Sequence, residues 1–539
     1  MKIRRLLLGI LLPSLALLAT ASPLRASGPD ASLLVRIPVD ALDQPAGPGD
    51  WADIWVVERE EGWALLAADP GDLLRLAGER IPYQIDWEET SRADTRSVDL
   101  TCYASVEQIE KELLDYAKKY PGLVDVIDYG DSWEKVQSGG AGGHDLLMVR
   151  VSDHATDGRP KPNYFLMSTI HARELATAEI SREFLRRLLE GYGKDPAITA
   201  LVRETAFYVA PMTNPDGHKK AETGSLWRKN TNNTNGCSVN GKLGTDLNRN
   251  SSYMWNHGGA SADPCDETYH GPSATSEPEV AAIENFFPVM WPARPDSSDK
   301  IPADEENTQG MMITLHSYSQ WILRPLGYKK QASMNEAPLK AMGDRFGAFT
   351  GYRSGIASIA LYIASGCTDD VAYGVYGVPA FTFEVGDAFF EDCGKIPKVV
   401  HDSVEALLYA ARIARQPYKL VFGPDVALAS QSSATLAPGG TVTFTVGAIQ
   451  KSSSAIVERI EATIDEPVWR GANTLALVPV DGEFDSLSET ATLTLEAAGL
   501  RPGKHTVWFE AYGADGQAGP TTAAEFTIIR AELENENAE

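Results

Sequence analysis

The chain has 539 residues, 43% of them hydrophobic and 23% charged. That composition excludes a wholly disordered chain, and at about 100–200 residues per domain the length predicts roughly three to four domains. The formal net charge of -26 repels nucleic acid and favours basic ligands, although solubility alone accounts for most of such a surface.

Lys2, Arg4 and Arg5 precede an apolar run from Leu6 to Leu18, and Ala19, Thr20 and Ala21 offer a small-residue cleavage site. This order predicts a signal peptide over 1–21. The run is shorter than the roughly 20 residues that span a bilayer, so an anchor is not expected. No later run is long enough to span. The expected protein is therefore exported, either secreted or periplasmic, with no integral membrane segment. Cleavage removes three cations and no anion, leaving a charge of -29.

Residues 22–99 read as a small α+β unit and a linker. Strands are expected at Asp53–Val57 and Tyr83–Trp87, with a helix at Asp72–Gly78. A charged stretch from Glu88 to Asp99, containing Arg92 and Arg96, lacks periodicity and reads as the linker. Residues 100–418 alternate helical and strand patterns. Val106–Tyr120, Leu175–Tyr192 and Val399–Ile413 carry apolar residues at helical spacing. Leu146–Val151, Tyr164–Ile170, Phe207–Pro211, Met311–Leu315 and Ala380–Phe383 are short apolar runs of buried strands. Such alternation predicts an α/β domain around a largely buried sheet. Residues 419–530 change character. Thr441–Val446 and Ala491–Leu495 alternate strictly, between Pro/Gly turns, which predicts a β-sandwich. Residues 531–539 form an acidic tail expected to fray.

Five cysteines in an exported chain predict two disulfides and one leftover thiol. Short polar loops favour Cys237–Cys265 and Cys367–Cys393, leaving Cys102, although spacing alone does not fix the connectivity.

His171 follows an apolar strand, and Glu174 opens the next helix, so the two side chains can face one point. His316 lies at the end of another strand. Each alone is a weak signal. Together, two imidazoles and one carboxylate suit zinc and leave an open position for water.

His171-Ala-Arg-Glu174 resembles the HxxE motif of the zinc carboxypeptidase family, of carboxypeptidase A and B type, and His316-Ser-Tyr-Ser-Gln resembles its third-ligand strand. Further similar segments follow in the family's chain order: Asn214-Pro-Asp-Gly217, Trp227-Arg228-Lys-Asn, Asp246-Leu-Asn248-Arg249, Tyr362-Ile-Ala-Ser-Gly366 and Phe381-Thr-Phe-Glu384. The resemblance covers residues 100–415. It implies a mixed β-sheet flanked by helices, with Zn2+ as cofactor and peptide or protein C-termini as partners. It further implies that His171, Glu174 and His316 bind the metal, with Asp246 orienting the outer nitrogen of His171. Glu384 would exchange protons with water and the leaving amine, and Arg228 would stabilise the oxyanion. Asn248, Arg249 and Tyr362 would hold the substrate's terminal carboxylate, which suits a planar guanidinium.

By the same resemblance, Asp369 lines the floor of the pocket for the terminal side chain and favours Lys or Arg there, with room beside Ala357, whereas Asp370 carries no specificity information. The N-terminal unit resembles an activation segment, so a zymogen is expected, and the sandwich resembles immunoglobulin-like or fibronectin-like modules. That module would bind surface material or stabilise the enzyme. Two other classes are open: a zinc amidohydrolase acting on peptidoglycan stem peptides, and a catalytically inactive binding module.

Overall fold

The computed structural model describes residues 33–38, 41, 55–60, 63–68, 70–86, 99–238 and 242–530. The expected signal peptide, nearly all of the linker with Arg92 and Arg96, and the acidic tail lie outside the described residues. Among those described, no helix is long and apolar enough to cross a membrane.

The N-terminal unit is a four-stranded sheet. Its strands are β1 (Leu33–Pro38), β2 (Trp55–Glu60), β3 (Trp63–Ala68) and β4 (Gln84–Ile85), in the order β2-β3-β1-β4, with helix α1 (Pro70–Gly78). Alternation along β1 and β3 gives the sheet two apolar faces. Val35, Ile37, Ala64 and Leu66 pack with Leu76 of α1, whereas Leu34 and Leu65 turn to Tyr318 and Phe389 of the next unit.

Eight strands form the central sheet: β5 (Val124–Asp131), β6 (Asp145–Val151), β7 (Asn163–Ser168), β8 (Ala206–Ala210), β9 (Met311–His316), β10 (Trp321–Arg324), β11 (Arg353–Ile356) and β12 (Ala380–Glu384). Their order is β11-β10-β12-β9-β7-β8-β6-β5. The four inner strands β12, β9, β7 and β8 run parallel, while β6 is antiparallel to both of its neighbours, and β10 is antiparallel to β12 but parallel to β11. The parallel strands are buried on both sides, which is why they read as unbroken apolar runs. Helices α2 (Val106–Lys119), α3 (Ala176–Gly191), α4 (Pro196–Glu204), α5 (Thr368–Tyr376) and α6 (Ile396–Ile413) belong to this unit. Helix α2 begins at a capping box, with Ser105 and Gln108 bonding reciprocally to each other's backbone N–H.

From β7 the chain moves to β8 on one side, and later fills β9 and β12 on the other. The order in which strands are added to the sheet therefore reverses between the parallel strands β7 and β9, where ligands of such sheets bind beyond the carboxyl ends. His171 follows β7, and His316 and Glu384 end β9 and β12.

The C-terminal unit is a two-sheet sandwich. One sheet contains β13 (Asp425–Gln431), β15 (Thr441–Ile449), β19 (Ser488–Glu496) and β18 (Val478–Pro479). The other contains β14 (Thr435–Leu436), β21 (Thr522–Ile528), β20 (Gly503–Gly513), β16 (Val457–Ile464) and β17 (Leu475–Ala476). Val442, Phe444, Val446, Leu493 and Leu495 of the alternating runs fill its core. It seats at the amino ends of the central strands, away from His171 and His316. Arg159 bonds Glu466 through two nitrogens at 2.7 and 2.8 Å, and Arg470 bonds Glu204, the last residue of α4. Arg415 pairs with Glu510 and stacks over Trp469 at 4.2 Å.

The disulfides correct one expectation. Cys237–Cys265 forms, but the second bridge is Cys102–Cys393, and Cys367 is the free thiol. Cys367 is buried with its Sγ 3.2 Å from the Asn248 carbonyl oxygen. Cys393 instead lies in a surface loop that folds back beside the start of the unit. The bridge joins residues 291 apart in sequence, a proximity that loop length does not encode.

Candidate metal centre

Three buried side chains converge at the switch point. His171, Glu174 and His316 each offer a ligand atom, and these atoms lie within 4.8 Å of one another. His171 Nδ1 is 2.8 Å from Glu174 Oε1 and 3.1 Å from His316 Nδ1. His316 Nδ1 is 3.1 Å from Glu174 Oε2. The Ser317 backbone N–H also donates to Glu174 Oε2 at 3.2 Å, fixing that carboxylate. Burial would raise the Glu174 carboxyl, but the two imidazoles outweigh it and hold it well below the usual range. Burial and the Arg228 cation lower His171, favouring the neutral ligand form. For His316 burial also opposes charge, but the Glu174 carboxylate overrides it and raises the imidazole. Two nitrogens face each other beside an anionic oxygen with room for few protons, so this donor set fits a zinc ion.

Behind the triad, His171 Nε2 is 3.2 Å from Asp246 Oδ1. Arg228 donates through Nε and Nη2 to Asp246 Oδ2 at 3.0 and 2.7 Å, and its Nη1 lies 3.2 Å from His171 Nδ1. Arg228 and Asp246 are both buried. Burial raises Asp246, but Arg228 and His171 prevail and keep it well below its ordinary value. Asp246 also caps the short turn Leu247–Arg249 by accepting from the Asn248 N–H. That turn brings Asn248 Nδ2 to 3.5 Å from His316 Nε2. Arg249 donates through Nε to the Gly259 carbonyl and through Nη1 to the Asn248 carbonyl, and its guanidinium lies 5.7 Å from the Tyr362 ring.

Glu384 is the register partner of His316 across β12 and β9. Burial raises its carboxyl, and the nearby Glu174 charge adds to this against the pull of His316, bringing it to about 8. Asp369 is buried on the first turn of α5 and accepts from Thr382 Oγ1 at 3.1 Å, two residues before Glu384. Asp370 turns elsewhere and accepts from the backbone N–H groups of Gly327 and Tyr328. Ala357 begins the short helix Ala357–Ala360.

Sequence reasoning overlooked Phe389 and Phe390. Phe389 meets Tyr318 edge-on, with ring centroids 4.9 Å apart, and the Arg173 guanidinium sits 4.2 Å from its centroid. Phe390 packs with Ala172, inside the HxxE motif, and Leu175, just after it. An adjacent aromatic pair in an otherwise polar stretch between Gly386 and Gly394 was the available signal.

The profile of the zinc carboxypeptidase family matches residues 109–406. Carboxypeptidase A2 of Rattus norvegicus is 33% identical over 295 residues, covering 53% of this chain and 63% of the relative. Human carboxypeptidase B is 31% identical over 292 residues, with the same two coverages of 53% and 63%. The chain thus spans under two thirds of the length of these relatives. The crystal structure of Helicoverpa armigera carboxypeptidase A has a similar fold, with a TM-score of 0.56 at 20% identity, covering 72% of this chain and 98% of that one.

Proposed function

The chain belongs to the zinc carboxypeptidase family, and from that premise we propose that it is an exported metallocarboxypeptidase that removes the last residue of peptides. The observation that carries this reading is the convergence of His171, Glu174 and His316 beside Glu384, with Arg228 and the Asn248–Arg249 turn on the same edge. Two disulfides suit an oxidising compartment.

A zinc ion bound by the triad would supply Lewis-acid polarisation of the scissile carbonyl and acidify water. Glu384 would take a proton from the attacking water and return it to the leaving amine. Arg228, pinned by Asp246, would present a fixed cation to the oxyanion, so no reorganisation is needed as charge develops. Asn248, Arg249 and Tyr362 would hold the terminal carboxylate, which an internal peptide bond lacks. Asp369 would favour a basic terminal side chain.

Latency is part of this reading. Leu34 and Leu65 of the N-terminal sheet cover Tyr318 and Phe389, and Tyr362 packs against its other apolar cluster. The unit therefore lies across the proposed substrate entrance until the linker is cut. The test of the activity is cleavage of matched peptides with free and amidated C-termini. Release of the terminal residue from the free form only is expected. Equal cleavage of both would favour an amidohydrolase, and cleavage of neither by the processed chain would favour a binding module.

A further inference from the structure

The loop after Glu384 carries two aromatics that brace both metal-ligand segments. Phe389 contacts Tyr318, two residues past His316, and Arg173, inside the HxxE motif. Phe390 is buried against Ala172 and Leu175. A shift of this loop would therefore move the walls of the site without removing any ligand.

Three fasteners hold the loop. Glu391 closes it from within: its Oε2 accepts from the Asp387 N–H at 2.8 Å. At Gly386, with φ at 70°, a Cβ would stand 2.5 Å from that same oxygen, so the approach requires glycine. Tyr103 donates its hydroxyl to the Glu391 carbonyl oxygen at 2.6 Å and joins the cluster that contains Phe390. The third fastener is the Cys102–Cys393 disulfide. On its outer side Phe389 is covered by Leu34 and Leu65 of the N-terminal sheet.

We infer that the Cys102–Cys393 bridge and Tyr103 are positioning elements, holding the Phe389–Phe390 loop against the metal-ligand segments once the N-terminal sheet has left. Both cysteines and Tyr103 follow the linker in sequence, so cutting the linker removes the cover on Phe389 but keeps the fasteners. The inference rests on the carboxypeptidase and latency readings above.

The test uses the full chain, folded whole and then cut at a site-specific protease sequence placed in the linker, as wild type and as the Cys102→Ser/Cys393→Ser double variant. The variant should keep one zinc and the Cys237–Cys265 bridge. Its kcat should fall about tenfold while KM changes less than about threefold, the scale of a sub-ångström loss of alignment. Trypsin should also cut faster after Lys395, a readout independent of catalysis. Unchanged kcat together with an unchanged cutting rate would overturn the inference. So would loss of zinc from a folded variant, because the bridge would then support the ligands themselves. If the double variant does not fold, Tyr103→Phe decides: a kcat lowered about threefold with zinc retained supports positioning, and an unchanged kcat overturns it. Failure of the wild-type protein to cleave any free C-terminus would sink the functional reading instead, and the trypsin arm would still decide whether the bridge holds the loop.

Discussion

Glu384 and His316 are register partners at the carboxyl ends of two adjacent parallel strands. Ladder hydrogen bonds between β12 and β9 hold their backbones together, so the spacing between Glu384, the proposed general base, and the His316 ligand is set by the sheet and not by loops. Glu384→Gln keeps the shape and the register but cannot accept a proton. Turnover should fall about 100-fold or more with one zinc per chain retained, measured by steady-state kinetics alongside metal analysis. His316→Ala should instead lose the metal. Near-normal turnover in a zinc-replete Gln variant would refute the role.

Latency should yield to a single change at the covering face. Leu65 is 1% exposed in the cluster with Leu34, Tyr318 and Phe389. Leu65→Asp buries an unpaired carboxylate there and should loosen the N-terminal sheet. The uncut variant should be about tenfold or more as active as uncut wild type, approaching the chain that begins at Leu100. Equal activity of cut and uncut wild type would end the latency reading.

Asp369 should set the terminal preference. It is buried and accepts from Thr382 Oγ1 at 3.1 Å, and a carboxylate so placed attracts a cationic tip and penalises an apolar one. Asp369→Ala should lower kcat/KM for peptides ending in Arg or Lys by about tenfold or more, and leave those ending in Leu or Phe level or improved. Wild type that cleaves Leu and Phe endings as well as Arg and Lys would remove the basic preference.

Glu279 predicts a pH dependence of stability away from the site. It is 0% exposed, accepts from the Trp133 N–H and from Asn230 Nδ2, and is pushed up to about 8 by burial. Its folded-state pKa exceeds the ordinary 4.5, so between these values the folded state binds the extra proton. Its favourable contribution is complete below about pH 4.5 and is lost as pH rises toward 8, with a slope of at most about 1.4 kcal/mol per pH unit. Chemical unfolding at pH 5, 6.5 and 8 should show this slope in wild type and its absence in Glu279→Gln. Parallel curves would contradict it.

Much of the site was legible because its residue types are local and ordered. His171 and Glu174 are three apart, and the apolar runs before His171, His316 and Glu384 are strands buried on both faces, a pattern readable without coordinates. The alternation in Thr441–Val446 likewise announced a sheet with one buried face, and β15 buries Val442, Phe444 and Val446. The antiparallel outer strands were harder. Val124–Asp131 mixes polar and apolar residues because it lies at the sheet edge with partial exposure.

By itself, then, the sequence determined which side chains were available and the local periodicity of the segments that carry them. Only the tertiary structure decided their meetings across long separations. His316 reaches His171 across 145 residues, Arg228 reaches Asp246 through a buried pair, and Cys102 finds Cys393 rather than leaving Cys367 to pair with it. The N-terminal sheet's second apolar face, aimed at Phe389, was equally hidden. The physical reason is that periodicity records which face of an element is apolar, whereas the partner of that face is selected by packing the whole core at once.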